Sequence, residues 1–221
     1  MTGALKELMA EVVAAGTERR CAHLMLREDP LFGRLAQGSD EEAIGVALNA
    51  GQQAADRIIA QHGRSPDRIV SALHVNVTWS DAFLQTGKAV LFSEYGDRPP
   101  SITLYRRSIH EANDLIRENG LSDLLGMSDI APMHLTHEVY HHLEMKKLTE
   151  GTRGYRIETL GLGPIRLRTG LPSLSEIAAN RFAMTVLGIH VPVKAIEFIT
   201  IYRYNREYAW QLLEELRKFS P

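Results

Sequence analysis

Four of the chain's nine histidines lie within the segment HLTHEVYHHLE, from His134 to Glu144. This segment contains the pattern H-E-x-x-H, formed by His137, Glu138 and His141. Residues four apart share one face of a helix, so both imidazoles can reach one metal ion at about 2.0–2.1 Å. Glu138 points about 100° away around the helix, so its carboxylate can miss the ion and still take a proton from a bound water. The spacing is typical of a catalytic zinc site, although so short a pattern also arises by chance.

A second segment, PSLSEIAANRFA, offers a third metal ligand. A catalytic zinc ion takes three protein ligands and leaves a fourth position for water, and Glu176 could be the third. Asn180, one helical turn later, could hydrogen-bond a ligand imidazole and fix its tautomer. Ser173 and Glu176 also match a capping box, in which the glutamate only satisfies a backbone N–H at the start of a helix. The residues alone leave both interpretations open.

The neighbouring histidines are less suited to bind the same ion. His134 and His141 are separated by about 10 Å along a helix, which favours a core or supporting role for His134. His142 is rotated by about 100° from His141, which favours a position on the flank of the helix. A peptidase would also need a donor for the developing oxyanion. Three residues are candidates for that donor: Tyr140, Tyr155 and His190.

Hydrophobic periodicity predicts helices, then strands, then further helices interrupted by a hairpin, which is typical of an α+β domain. The predicted helices cover about 3–27, 41–62, 110–120, a histidine helix from Ser128-Asp129 to Gly151, 173–187 and 192–219. The predicted strands cover 69–79, 88–96 and 101–109, followed by a hairpin that turns at Gly161–Gly163. We expect the strand 101–106 to be an exposed edge with which a peptide substrate could pair.

The two segments HEVYH and EIAANRFA together resemble the gluzincin metallopeptidases, and they are most similar to the ImmA/IrrE family of small intracellular peptidases. The resemblance covers residues 70–190 approximately. It implies that His137, His141 and Glu176 bind Zn²⁺, that Glu138 is the catalytic base, and that Asn180 orients a ligand imidazole. The implied activity is hydrolysis of a peptide or protein substrate by a metal-activated water, as in a specific regulatory protease.

The implied fold is a zincin-like domain with a small mixed sheet, an active-site helix, an inserted β-hairpin and flanking N- and C-terminal helices. On this basis residues 1–65 form an N-terminal helical region, 66–190 the metallopeptidase core, and 191–221 a C-terminal helical extension. A chain of 221 residues suits one compact domain made of these parts.

Composition narrows the classes of partner and compartment. The net charge of −2, without a basic excess, argues against direct binding to nucleic acid or to a membrane surface. The single cysteine excludes an internal disulfide and fits a reducing compartment. The N-terminal segment carries charges throughout, unlike a signal peptide. These features together predict a cytoplasmic protein.

Two alternatives come from other classes of protein. A di-iron bundle would use Glu138 and His141 as one Glu-x-x-His pair, but it requires a second such pair and the sequence has none. The other alternative is a non-catalytic zinc-binding or protein-interaction module on a zincin-like fold. Its helical N-terminus and its aromatic C-terminal helix could bind the partner; the aromatic residues are Tyr202, Tyr204, Tyr208 and Trp210. The presence of Glu138 favours an enzyme, because a purely structural metal site has no use for a base.

Overall fold

The computed structural model describes residues 2–86, 89–162 and 165–218. These residues form an α+β fold that is mainly helical, with one three-stranded mixed sheet and two small antiparallel hairpins. The predicted α+β class is therefore confirmed. Within the described part of the chain, no helix is long and apolar enough to cross a membrane.

The N-terminal part is helical, as predicted, but it contains a break that the sequence analysis missed. The prediction of a single helix over 3–27 was wrong, because the first helix ends before Gly16 and a second helix starts after Thr17. The Thr17 hydroxyl accepts a hydrogen bond from the backbone N–H of Arg20 at 3.3 Å and so caps that helix. The helices are α1 Thr2–Ala15, α2 Glu18–Glu28, α3 Asp40–His62 and α4 Pro66–Ala72, with a 3-10 turn at Phe32–Arg34.

The mixed sheet contains three of the next five strands. The strand predicted at 69–79 is wrong in its first half, because Pro66 starts a helix whose buried turn holds Ile69 and Val70 side by side. The strand order is β1-β5-β4, with β5 parallel to β1 and antiparallel to β4. The strands are β1 Asn76–Ser80, β2 Gln85–Thr86, β3 Ala89–Val90, β4 Ser93–Asp97 and β5 Pro100–Tyr105.

The expected edge strand at 101–106 is not an edge. β5 is the central strand, since β1 and β4 occupy its two sides, and its backbone groups are used within the sheet. The strand also ends earlier than the predicted residue 109, because a helix with buried Ile109, Ala112 and Ile116 begins at Arg106. Among the described residues, no strand pairs with the outer side of β4.

The second half of the chain supplies the helices that carry the motif residues. The histidine helix starts as predicted, with an Asp129 carboxylate oxygen accepting from the N–H of Ala131 at 3.0 Å. It ends at Met145 and not at Gly151. The predicted hairpin is present, but the tip of its turn, at 163 and 164, lies outside the described residues. The elements are α5 Arg106–Glu118, α6 Ser122–Leu125, α7 Ala131–Met145, β6 Ile157–Leu162, β7 Ile165–Thr169, α8 Pro172–Leu187, α9 Val193–Tyr204 and α10 Arg206–Lys218.

The core places α8 between α3 and α7, and the sheet covers another side of α7. The contact between α3 and α8 is the most extensive in the molecule, because small residues line it. Gly51 of α3 lies so close to α8 that an added Cβ would collide with the carbonyl oxygen of Ala178. The helix that bears Glu176 and Asn180 is thus held against a rigid neighbour.

Candidate metal centre

Two adjacent helices bring the predicted ligands together. His137 and His141 lie one turn apart on α7, and Glu176 lies in the first turn and a half of α8. The two imidazoles are mostly buried, with side chains 13% and 18% exposed, and the Glu176 side chain is 49% exposed. All three residues offer donor atoms within 4.8 Å of one another. They form the only such group of at least three histidine, cysteine or acidic residues in the described part of the chain.

The spacing of the donor atoms matches that of ligands around a small cation. The Nε2 atoms of His137 and His141 are 3.1 Å apart. Each Nε2 lies close to one oxygen of Glu176, at 3.2 Å from His137 and 3.3 Å from His141. Ligand atoms bound at about 2.0–2.1 Å to a tetrahedral zinc ion lie about 3.3–3.4 Å from one another. The three side chains could therefore hold such an ion with very small movements.

Hydrogen bonds at the far nitrogens determine the tautomers of both imidazoles. Nδ1 of His137 donates to the Oδ1 atom of Asn180 at 2.9 Å. Nδ1 of His141 contacts the Ser175 hydroxyl oxygen at 3.3 Å. That hydroxyl donates its own proton to Glu144 at 2.5 Å, so it accepts from His141. Each neutral ring thus carries its proton on Nδ1 and directs the Nε2 lone pair at the same point. Two lone pairs at this separation repel each other unless a cation lies between them.

Without a metal, a proton can supply the positive charge. Burial lowers the pKa of His137, but the hydrogen bond to Glu176 and the negative charges of Glu176, Glu138 and Glu197 raise it more, to about 9. Burial raises the pKa of Glu176, but hydrogen bonds to His137 and His141 and the charges of these rings leave it well below its usual range. These shifts favour a positive charge at the centre, where a proton would compete with a metal ion.

The metal-free protein is expected to lose stability as pH rises from 6.5 towards 9. Since the pKa of His137 is raised from 6.5 to about 9 on folding, protonation stabilises the fold fully below 6.5, and this contribution disappears as pH rises through about 9. Thermal unfolding of EDTA-treated protein over this interval would measure the loss. His137→Gln should remove this component of the decrease, and saturating zinc should suppress it. A wild type and a His137→Gln variant with the same pH profile would contradict the assignment.

Glu138 lies in the same cavity but outside the group of donor atoms. The cavity has a volume of about 390 Å³ and is lined by His137, Glu138, Glu176 and Asn180, among others. Glu138 is only 6% exposed, and one carboxylate oxygen accepts a hydrogen bond from the hydroxyl of Ser93 on β4 at 2.7 Å. The other oxygen has no hydrogen-bond partner among the described residues. Glu138 is thus oriented beside the donor atoms with one oxygen free for proton transfer.

The remaining histidines of the motif helix have other surroundings. His134 is mostly buried, lines the cavity and stacks on Phe92 with ring centroids 4.4 Å apart. Burial and the neighbouring His137 lower the pKa of His134 to about 3, so it is neutral. His142 is also buried, where Nδ1 contacts the Tyr95 hydroxyl at 3.0 Å. His134 is therefore a core group, as predicted, whereas His142 lies between α7 and β4 and not on an open flank.

The three candidate oxyanion donors do not line the cavity. Tyr140 is fully buried with its ring 5.8 Å from that of Phe182. The Tyr155 hydroxyl contacts the carbonyl of Ser39, and His190 is exposed beyond the end of α8. Position along the helix already separates Tyr140 from the metal-facing side, since it precedes His141 by one residue.

The capping box is not formed. The residue at the N-cap position of α8, Leu171, makes no side-chain hydrogen bond, and the Ser173 hydroxyl has no hydrogen-bond partner among the described residues. A carboxylate oxygen of Asp29 instead accepts from the Ser173 N–H at 2.9 Å. Because Asp29 satisfies this end of the helix, Glu176 is available to contact the two histidines.

Three residues of the site were missed by the sequence analysis. Ser93 contacts Glu138, and Ser175 and Glu144 support His141. Glu144 was detectable, because it follows His141 by three residues and so lies on the same helical stripe. Ser175 and Ser93 carry no such signal, since their roles depend on how α8 and β4 approach α7.

The cavity also contains a cation that the sequence did not suggest. The Lys194 side chain, from α9, is 18% exposed and lies between Glu28 at 3.6 Å and Glu197 at 3.7 Å. Burial lowers the pKa of Lys194, but the surrounding negative charges, Glu197 foremost, raise it more, so the side chain is charged.

Comparison of the chain with models of known protein families, with curated proteins and with solved structures finds no match.

Proposed function

We propose that this chain is a zinc-dependent metallopeptidase on a zincin-like fold. The observation that carries the proposal is the convergence of two imidazole lone pairs and the Glu176 carboxylate, with both Nδ1 protons held by acceptors. Two histidines and one glutamate are a ligand set of catalytic zinc sites, which leave one position for water. Bound zinc would supply a Lewis acid for the scissile carbonyl and would acidify a water.

Glu138 is the proposed general base. Its carboxylate would accept a proton from the attacking water and deliver that proton to the leaving amine. Ser93 supports this role, because its hydroxyl hydrogen-bonds one oxygen of Glu138 and leaves the other free. Burial of Glu138 in a cavity next to the donor atoms favours an enzyme over a purely structural metal site.

The proposed substrate is a peptide that pairs with the outer side of β4. The N–H of Tyr105 donates to the carbonyl of Phe92 at 2.9 Å, so the alternation of an antiparallel ladder directs the backbone groups of Ser93 and Tyr95 away from β5. Phe92 and Ser93 also line the cavity. A peptide added to this edge would therefore run past Glu138 and the donor atoms.

Elemental analysis of the purified, tag-free protein tests the metal site. About one zinc per chain is expected in the wild type, with loss or strong weakening in His137→Ala and in Glu176→Gln. His190→Ala is the matched control, because His190 is exposed and lies outside the cavity. Zinc retained at full affinity in Glu176→Gln would exclude it as a ligand. A wild type that binds no added zinc would overturn the proposal and favour a protein-interaction module.

A further inference from the structure

A buried carboxylate supports the second histidine from outside the cavity. Glu144 lies on α7, one turn after His141, and is only 8% exposed. One of its oxygens accepts from the Ser175 hydroxyl at 2.5 Å, and that hydroxyl accepts from Nδ1 of His141. Neither Glu144 nor Ser175 lines the cavity, so neither can contact a substrate there.

The loop after α7 holds the other oxygen of Glu144. The backbone N–H and the hydroxyl of Thr152 both donate to it, at 3.0 and 3.1 Å. Gly151 makes this approach possible, because an added Cβ would collide with the carboxylate and because its φ of +60° favours glycine. Three donated hydrogen bonds leave Glu144 a satisfied acceptor with a defined orientation.

We propose, on the basis of the proposed zinc site, that Glu144 and Ser175 are positioning residues of the metal centre. Because the Ser175 hydroxyl donates its proton to Glu144, its oxygen can only accept a hydrogen bond from His141. This keeps the proton of the His141 ring on Nδ1 and leaves the Nε2 lone pair directed at the metal. The loop at Gly151–Thr152 belongs to the same unit, since it fixes Glu144. His137 has a simpler support, the amide of Asn180, so the two ligand histidines are oriented by different chemistry.

This arrangement controls the direction in which the Ser175 hydroxyl proton points. Without Glu144, the Ser175 hydroxyl could rotate and donate to Nδ1 of His141, which would place the ring proton on Nε2 and block metal binding. A carboxylate linked through hydrogen bonds to a ligand imidazole also makes that ligand more basic. Loss of such a partner lowers metal affinity by about 10–100-fold in other sites.

Zinc affinity, measured by competition with a chromophoric chelator, tests the proposal. Ser175→Ala and Glu144→Gln are each expected to weaken zinc binding by about 10–100-fold. The double variant should bind zinc no less tightly than the single variant with the lower affinity, because both residues act through one chain of hydrogen bonds. Ser175→Thr, which keeps the hydroxyl, should restore affinity. Ser173→Ala is the matched control on the same helix, since its hydroxyl has no hydrogen-bond partner among the described residues.

The visible spectrum of the Co²⁺-substituted protein gives a second readout that a general loss of stability would not change. Ser175→Ala and Glu144→Gln should alter the cobalt absorption bands in the same way, whereas Ser173→Ala should leave them unchanged. Wild-type affinity and spectrum in Ser175→Ala would overturn this inference and leave the zinc site intact. A wild type that binds neither metal would overturn both this inference and the proposed function.

Discussion

Glu138→Gln is expected to abolish most peptide hydrolysis while the protein keeps its metal. A general base contributes about 10²–10⁴-fold to the rate, so kcat/KM should fall by that factor. Glutamine has the same shape as glutamate, and its carbonyl oxygen can still accept the hydrogen bond from Ser93. Because Glu138 is not among the donor atoms that converge on the metal, zinc content should not change. Cleavage of a mixed peptide library, followed by mass spectrometry, would measure the loss.

Glu118→Gln provides the control for that experiment, since Glu118 is exposed at the end of α5 and does not line the cavity. It should cleave the library at the wild-type rate. A Glu138→Gln protein that retains both zinc and full activity would remove Glu138 from the mechanism. Loss of zinc in Glu138→Gln would instead place Glu138 among the ligands.

Gly51→Val is expected to destabilise the fold strongly, although it changes no residue of the site. Its side chain would push against the backbone of α8 at Ala178 and against Cβ of Arg181, which lies 2.9 Å from the position of an added Cβ. Backbone cannot rotate away as a side chain can, so the free energy of unfolding should fall by about 3 kcal/mol or more. Zinc affinity should fall as well, since α8 carries Glu176. Urea denaturation of the metal-free protein would measure the first effect.

Gly45→Ala on the same helix is the matched control. An added Cβ at Gly45 meets no atom within 4 Å, so only helix propensity changes. The variant should be more stable by about 0.5–1 kcal/mol. If the Gly51→Val and Gly45→Ala variants unfold at the same urea concentration, α3 and α8 do not approach each other as closely as described at Gly51.

The helices that carry the centre were predictable because their signals are local. The start of α7 just after Asp129 and the end of α8 at Gly188 follow from residues that favour helix ends, and the motif spacing places His137 and His141 on one face. The sheet was less predictable. The residue types of Ile69 and Val70 favour a strand. Pro66 nevertheless starts a helix there, and the two side chains are buried in the core from that helix.

The support of the centre depends on contacts between distant segments, which one sequence does not contain. Asp29, from a distant segment of the chain, accepts a hydrogen bond from Ser173 at the start of α8, where the sequence suggested a capping box. Ser93 reaches Glu138 only because β4 packs on α7. The order of strands likewise depends on pairing across the sheet, which is why the edge strand was assigned to β5.

The chain acquires the parts of its centre at very different moments of its synthesis. In a nascent chain that ends before Pro172, His137 and His141 are present, but Glu176, Asn180 and Ser175 are not. Such a nascent chain therefore carries only two of the three proposed metal ligands. A proton on His137 can satisfy the completed centre until a metal arrives. In the proposed enzyme, zinc supply would control how much of the folded protein is active, and bound zinc would also stabilise the fold.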